Sequence, residues 1–184
     1  RIQEGFNTTI TVGVNEAEAN ATYTFTINVT NPQPIPASYT ATLTVSTNAT
    51  GSGFNSTLYY GDFSSGANTN YVGTYAIAVM DINETLATGN FTVGLTDKLD
   101  YRRTETVNIR GAGYNASETV TVSITTAGVS VAGYPKNVTA DLGGIVTDSW
   151  NIAIDNPPGT YTVNLTNATM GTVKQVPDVQ NFWI

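Results

Sequence analysis

The chain has 184 residues with no Cys and no His, and its 14 acids against 7 bases give a net charge of −7. That balance argues against an electrostatic grip on nucleic acid or an anionic membrane surface. Without Cys or His there are no disulfides, no thiol chemistry, no Ser-His-Asp or Cys-His device and none of the usual zinc sites. Only 11% of residues are charged, so polarity comes from Thr, Asn and Ser, while 40% hydrophobic content can bury a core or two without cross-links.

From the N-terminus, Phe6, Ile10, Val12 and Val14 share one face of an extended segment, with Thr8 between them and Asn7, Thr9 and Thr11 opposite. Asn15-Glu-Ala-Glu-Ala19 follows, a connection with no glycine and two carboxylates. Tyr23, Phe25, Ile27 and Val29 then alternate with Thr24, Thr26, Asn28 and Thr30, a strand of period two. Turn signals recur at Asn31-Pro-Gln-Pro-Ile-Pro36, Gly51-Ser-Gly53, Ser64-Ser-Gly66, Gly143-Gly144 and Asn156-Pro-Pro-Gly159. Val120, Val122 and Ile124 alternate again, as do Tyr161, Val163 and Leu165, and no long stretch has a helical period. The chain is expected to be all-β.

A shift of 95 residues aligns Asn20-Ala-Thr-Tyr-Thr-Phe-Thr-Ile27 with Asn115-Ala-Ser-Glu-Thr-Val-Thr-Val122. Gly73-Thr-Tyr-Ala-Ile77 matches Gly159-Thr-Tyr-Thr-Val163, and Asn90-Phe91-Thr92-Val93 matches Asn181-Phe182-Trp183-Ile184. The expected organisation is an N-terminal strand and hinge over 1–15, then two tandem Ig-like β-sandwiches over 16–97 and 98–184. Where the second copy has Arg110-Gly-Ala-Gly-Tyr114, whose glycines permit a tight return, the first copy lacks glycine and can run extended. Residues 6–14 are therefore either the first strand of their own sandwich or a strand available to another chain.

Eleven Asn-x-Ser/Thr sequons begin at Asn7, Asn20, Asn28, Asn48, Asn55, Asn83, Asn90, Asn115, Asn137, Asn164 and Asn167. The 19 Asn and 42 Ser plus Thr would give roughly 4 by chance. Such an excess implies an exported, extracellular protein carrying covalent N-glycans. The parity of Asn7, Asn28 and Asn164 puts them opposite the apolar row of their strands. Arg1 opens on no apolar leader, so any signal peptide is expected to have been removed; the longest apolar stretch, near Tyr75 to Met80, is too short to span a bilayer, and no anchor is expected at the C-terminus.

The run Val107-Asn-Ile-Arg-Gly-Ala-Gly-Tyr114, through Glu118-Thr-Val-Thr-Val122 to Pro158-Gly-Thr-Tyr-Thr-Val163, resembles Ig-like repeats of archaeal surface proteins. The whole chain, with its alternating N-terminal strand and dense sequons, resembles the subunit of archaeal thread filaments of thermoacidophiles. That resemblance implies a linear homopolymer at the cell surface, built by donor-strand complementation, a scaffold for adhesion or biofilm that touches neighbouring filaments or cells. Phe6, Thr8, Ile10, Val12 and Val14 would then enter the first sandwich of the neighbouring subunit. Burying the four larger ones would contribute about 6–12 kcal/mol before ordering entropy is subtracted.

Catalysis is not expected, and neither a metal nor a cofactor. A carboxylate pair for glycoside hydrolysis would have to converge on a cleft, and nothing in the sequence brings one together. Asp97, Asp100 and Glu105, and separately Asp81 and Glu84, are the weak calcium candidates. Lys98, Lys136 and Lys174 are the amines available to an intramolecular isopeptide bond. A secreted or surface-layer-associated Ig-like adhesive module is the alternative function, and Tyr59, Tyr60 and Phe63 are its candidate sugar platform.

Overall fold

The structure, a computed structural model, describes residues 1–32, 37–82, 84–167 and 178–184. Fourteen strands run β1 (Ile2–Gln3), β2 (Thr9–Val14), β3 (Thr22–Thr30), β4 (Ser38–Ser46), β5 (Gly53–Leu58), β6 (Gly73–Asp81), β7 (Glu84–Gly94), β8 (Thr106–Gly111), β9 (Thr119–Thr126), β10 (Val129–Ser130), β11 (Lys136–Thr139), β12 (Val146–Asn151), β13 (Thr160–Asn167) and β14 (Asp178–Trp183). The described residues contain no helix, and the fold is an all-β, Ig-like one.

Two compact units result. Unit 1 comprises Arg1–Phe6, Thr69–Val72 and Val93–Ile184, and unit 2 comprises Asn7–Asn68 and Gly73–Thr92. In unit 2 a four-stranded sheet runs β7-β6-β3-β4 and a two-stranded sheet is β2-β5. Unit 1 repeats this plan: β14-β13-β9, with β10 and β11 on β9, forms one sheet and β8-β12 the other. The period-two alternation read from sequence is the alternation of burial: Phe25, Ile27 and Val29 on β3, and Tyr161, Val163 and Leu165 on β13, all point into a core. The unit 1 core closes around Trp150, Tyr161 and Phe182, whose rings lie 5.5–6.4 Å apart.

The units divide the chain differently from the 1–15, 16–97 and 98–184 expected. Residues 1–6 and 69–72 join unit 1, and so do Val93 and Gly94 at the end of β7. The cause is a set of long-range polar contacts. Gln3 Nε2 donates to the carbonyls of Leu95 and Asn108, both at 2.9 Å. Buried Glu4 accepts from the Ala112 N–H at 2.9 Å, and its carbonyl accepts from Arg110 Nε at 2.9 Å. Backbone bonds of β1 to Val93 and Gly94 complete the attachment.

Candidate functional site

Of the five residues expected to form a donor strand, the structure places four in unit 2 of their own chain. Ile10 and Val12 are buried, Thr8 and Val14 half-buried. β2 pairs with β5 from Thr9↔Leu58 to Val14↔Gly53, and the Thr11 and Ser56 hydroxyls meet at 2.8 Å on the outer face. Phe6 departs from this row: it belongs to unit 1, where Arg110 Cζ lies 4.4 Å from its ring centroid. Gly5, at φ 72°, turns the chain just before it.

The two units differ in how firmly the first strand is held. In unit 1, β8 lies between two neighbours. β12 pairs on one side, and on the other Arg110 N–H donates to the Leu95 carbonyl at 2.8 Å and Asp97 N–H to the Asn108 carbonyl at 3.2 Å. Leu95 is fully buried there, and its N–H donates to Gln180 Oε1 of β14 at 2.5 Å. Residues 95–97 thus fill a strand place walled by β8 and β14. In unit 2, β2 has β5 as its one paired neighbour among the described residues. The repeat of that strand place would lie between β2 and β7, and the inner rows beside it are undercovered. Ile77 and Val79 are only half-buried although their cross-strand partners Val29 and Ile27 are wholly so. The described residues of β7 up to Asn90 are exposed. Residues 1–6 do not occupy that place, because β1, Gln3 and Glu4 are held in unit 1.

The connection after β2 folds back, whereas its lack of glycine had suggested an extended run. Ala17 N–H donates to the Gly51 carbonyl at 3.1 Å, as Tyr114 N–H does to Gly144 at 3.2 Å in unit 1. The turns they reach are alike: Asn48 Oδ1 accepts from the Thr50 and Ser52 N–H groups as Asp141 Oδ1 does from Gly143 and Ile145. The cost of the return appears at Glu16, which adopts φ 56° where unit 1 has Gly113 at 86°. Burial of Ile10 and Val12 and the β2–β5 ladder outweigh one left-handed residue.

Among the sequons, Asn7, Asn20, Asn48, Asn55, Asn90, Asn115 and Asn137 are exposed, while Asn28, Asn164 and Asn167 are half-buried. Asn83 lies outside the described residues. Asn28 and Asn164 occupy the outer rows of β3 and β13, as their parity requires. Asn167 shares the inner row of β13 with Tyr161, Val163 and Leu165, and its Nδ2 is buried without a hydrogen-bond partner among the described residues. Asn55 spends its Nδ2 on the Thr44 carbonyl at 2.7 Å.

The remaining candidates have structural partners. Tyr59 and Phe63 are buried, their rings 5.2 Å apart, and Tyr59 packs on Tyr75 and Phe91, so this cluster is core and not a platform. Burial opposes ionisation of Asp97, yet hydrogen bonds from Tyr101 and from Asn108 outweigh it and hold its carboxyl below the usual range. Glu105 is held low by the Arg102 N–H and by Lys98 at 3.1 Å. No group of three or more acids able to hold a metal occurs among the described residues. Lys136 Nζ reaches Asp148 Oδ1 at 2.5 Å, and Lys174 lies outside the described residues. Sequence patterning did not single out Phe54, 77% exposed, beside a shallow depression of about 520 Å³ lined by Asn15, Ser46, Asn48 and Ser52.

Residues 90–175 are similar to the macroglobulin-like domain. This match, over less than half of the chain, and the all-β architecture support an Ig-like β-sandwich fold. No curated protein matches it. Among solved structures, a beta-glycosidase from Bacteroides vulgatus aligns at 7% identity and a TM-score of 0.34 over 96% of this chain. The chain spans 24% of that protein's length, and a likeness this distant carries no argument about activity.

Proposed function

We propose that the chain is the structural subunit of an extracellular, N-glycosylated surface filament that grows head-to-tail by exchanging its first strand. In this reading the segment from Phe6 to Val14 of one copy enters unit 2 of the next in place of that copy's own β2. The observation that carries it is the unequal holding of the two first strands: β8 is locked between β12 and residues 95–97, whereas β2 is an edge strand of a two-stranded sheet. An edge strand can be donated without loss of pairing, because the neighbour offers an identical β5 and an identical inner row for Ile10 and Val12. Such a contact is heterologous and does not close on itself, so it propagates as a fibre.

The dense sequons supply the covalent glycan coat of this subunit, and export follows from them. Electron microscopy of the protein taken from its native surface tests the reading. Fibres one subunit wide, with a strand entering each unit 2 from a neighbour, support it. Compact monomers, each keeping β2 on its own β5, would leave a secreted adhesive module in its place.

A further inference from the structure

The outer faces of the larger sheet in each unit are almost free of charge. Every outward residue of β3 and β4 is Ser, Thr or Asn, and β6 adds Thr74, Ala76, Ala78 and Met80. Outward residues of β9 and β13 are again Ser, Thr or Asn, and β14 presents Val179, Asn181 and Trp183. β-Proteins ordinarily keep such surfaces apart with Lys or Glu. Here something else must do so.

Each face has a sequon at its middle. Asn28 lies between Thr40 on β4 and Ala78 on β6, and Asn164 between Ser123 on β9 and Val179 on β14. The two sites are the two halves of one repeated cross-strand pair. Asn28 faces Ala78, and Ser123 faces Asn164, so the asparagine changes strand between units while the residue opposite stays small. A small partner leaves room for a branched stem rising from the sheet. In both asparagines Oδ1, and not Nδ2, is the buried amide atom without a hydrogen-bond partner among the described residues, the orientation that a linkage through Nδ2 needs. The surrounding hydroxyls can bond sugar hydroxyls, and Trp183, 52% exposed, offers an apolar ring to a sugar's C–H face. Asn167, three residues further on, has the opposite geometry, with Nδ2 turned inward.

We infer that Asn28 and Asn164 each carry an N-glycan lying over its own sheet face, that these glycans keep the faces from packing against a second copy, and that Asn167 carries none. The attachment is a displacement on a lipid-phosphate-linked oligosaccharide. The anomeric C1–O bond to phosphate breaks, C1–Nδ2 forms, and one amide proton leaves as the lipid phosphate departs. The inference rests on the reading of the chain as an exported glycoprotein.

Glycopeptide mass spectrometry with site-localising fragmentation, on protein from the native surface, is the first test. Glycans at Asn28 and Asn164 with a bare Asn167 are expected. Bare Asn28 and Asn164 beside other occupied sequons overturn this inference alone, as does a glycan on Asn167, whereas eleven bare sequons overturn the glycoprotein reading beneath it. The double variant Asn28→Gln with Asn164→Gln, made in the native host, should associate side by side in sedimentation and micrographs, and Asn167→Gln should not. Thr30→Ala with Thr166→Ala removes the same two sequons while keeping both asparagines, and must behave alike. Dispersion equal to the native protein in both double variants contradicts the spacing role.

Discussion

Glu16 and Gly113 hold the same left-handed turn, at φ 56° and 86°, one residue before an N–H that bonds to the carbonyl of a left-handed glycine, Gly51 or Gly144. A side chain at that position costs about 1 kcal/mol or more, and glycine relieves most of it. Unit 2 thus keeps strain at the root of the strand proposed to leave it. Glu16→Gly should stabilise unit 2 by about 0.5–1 kcal/mol in denaturant unfolding and slow filament growth. An unchanged midpoint would mean that the turn is relaxed.

Leu95 fills in unit 1 the place that unit 2 leaves open. It is fully buried among Tyr101, Val107 and Ile109, so Leu95→Ala should cost about 2–4 kcal/mol of unit 1 stability. Thermal unfolding measures it, and a loss below about 1 kcal/mol would show that residues 95–97 do not close that core.

Tyr114 donates a hydrogen bond to Asp178 inside unit 1, and burial together with that carboxylate pushes the Tyr114 hydroxyl far above its ordinary range. Tyr114→Phe removes one charge-assisted donor from a buried acid. A loss of about 1.5–3 kcal/mol is expected by urea titration.

Asp97 titrates lower in the folded chain than its ordinary value of 3.8, despite the opposing effect of burial. Its hydrogen bonds therefore add stability at pH values above about 4. That contribution is lost as the pH falls through the folded-state value. Melting temperature followed from pH 6 down to pH 2 should drop less steeply in Asp97→Asn than in the native chain. Parallel curves would remove Asp97 from the acid response.

Alternation made the sheets legible, because Phe25 to Val29 and Tyr161 to Leu165 each have one buried row and nothing else competes for it. The repeat of Gly73-Thr-Tyr in Gly159-Thr-Tyr likewise marks corresponding central strands, β6 and β13. The hinge was harder. An ungapped shift of 95 sets Glu18 against Gly113, yet the hydrogen-bonded turns set Glu16 there, two residues away. Membership of residues 1–6 in unit 1 depends on side chains such as Gln3 and Glu4 bonding to backbone about a hundred residues distant, and no local period carries that information. Residues 6–14 carry the same apolar row whether they stay or are donated, so their pattern cannot decide between the two.

Thr11 and Ser56 face each other across β2 and β5 with their hydroxyls 2.8 Å apart, and the native chain has no cysteine to interfere. The double variant Thr11→Cys with Ser56→Cys, assembled in its native setting, oxidised and run on a non-reducing denaturing gel, tests the strand exchange most directly. Donation of β2 places the two introduced thiols on different copies, and a ladder of covalent oligomers results. A single monomer band, with the disulfide mapped within one chain, contradicts the exchange.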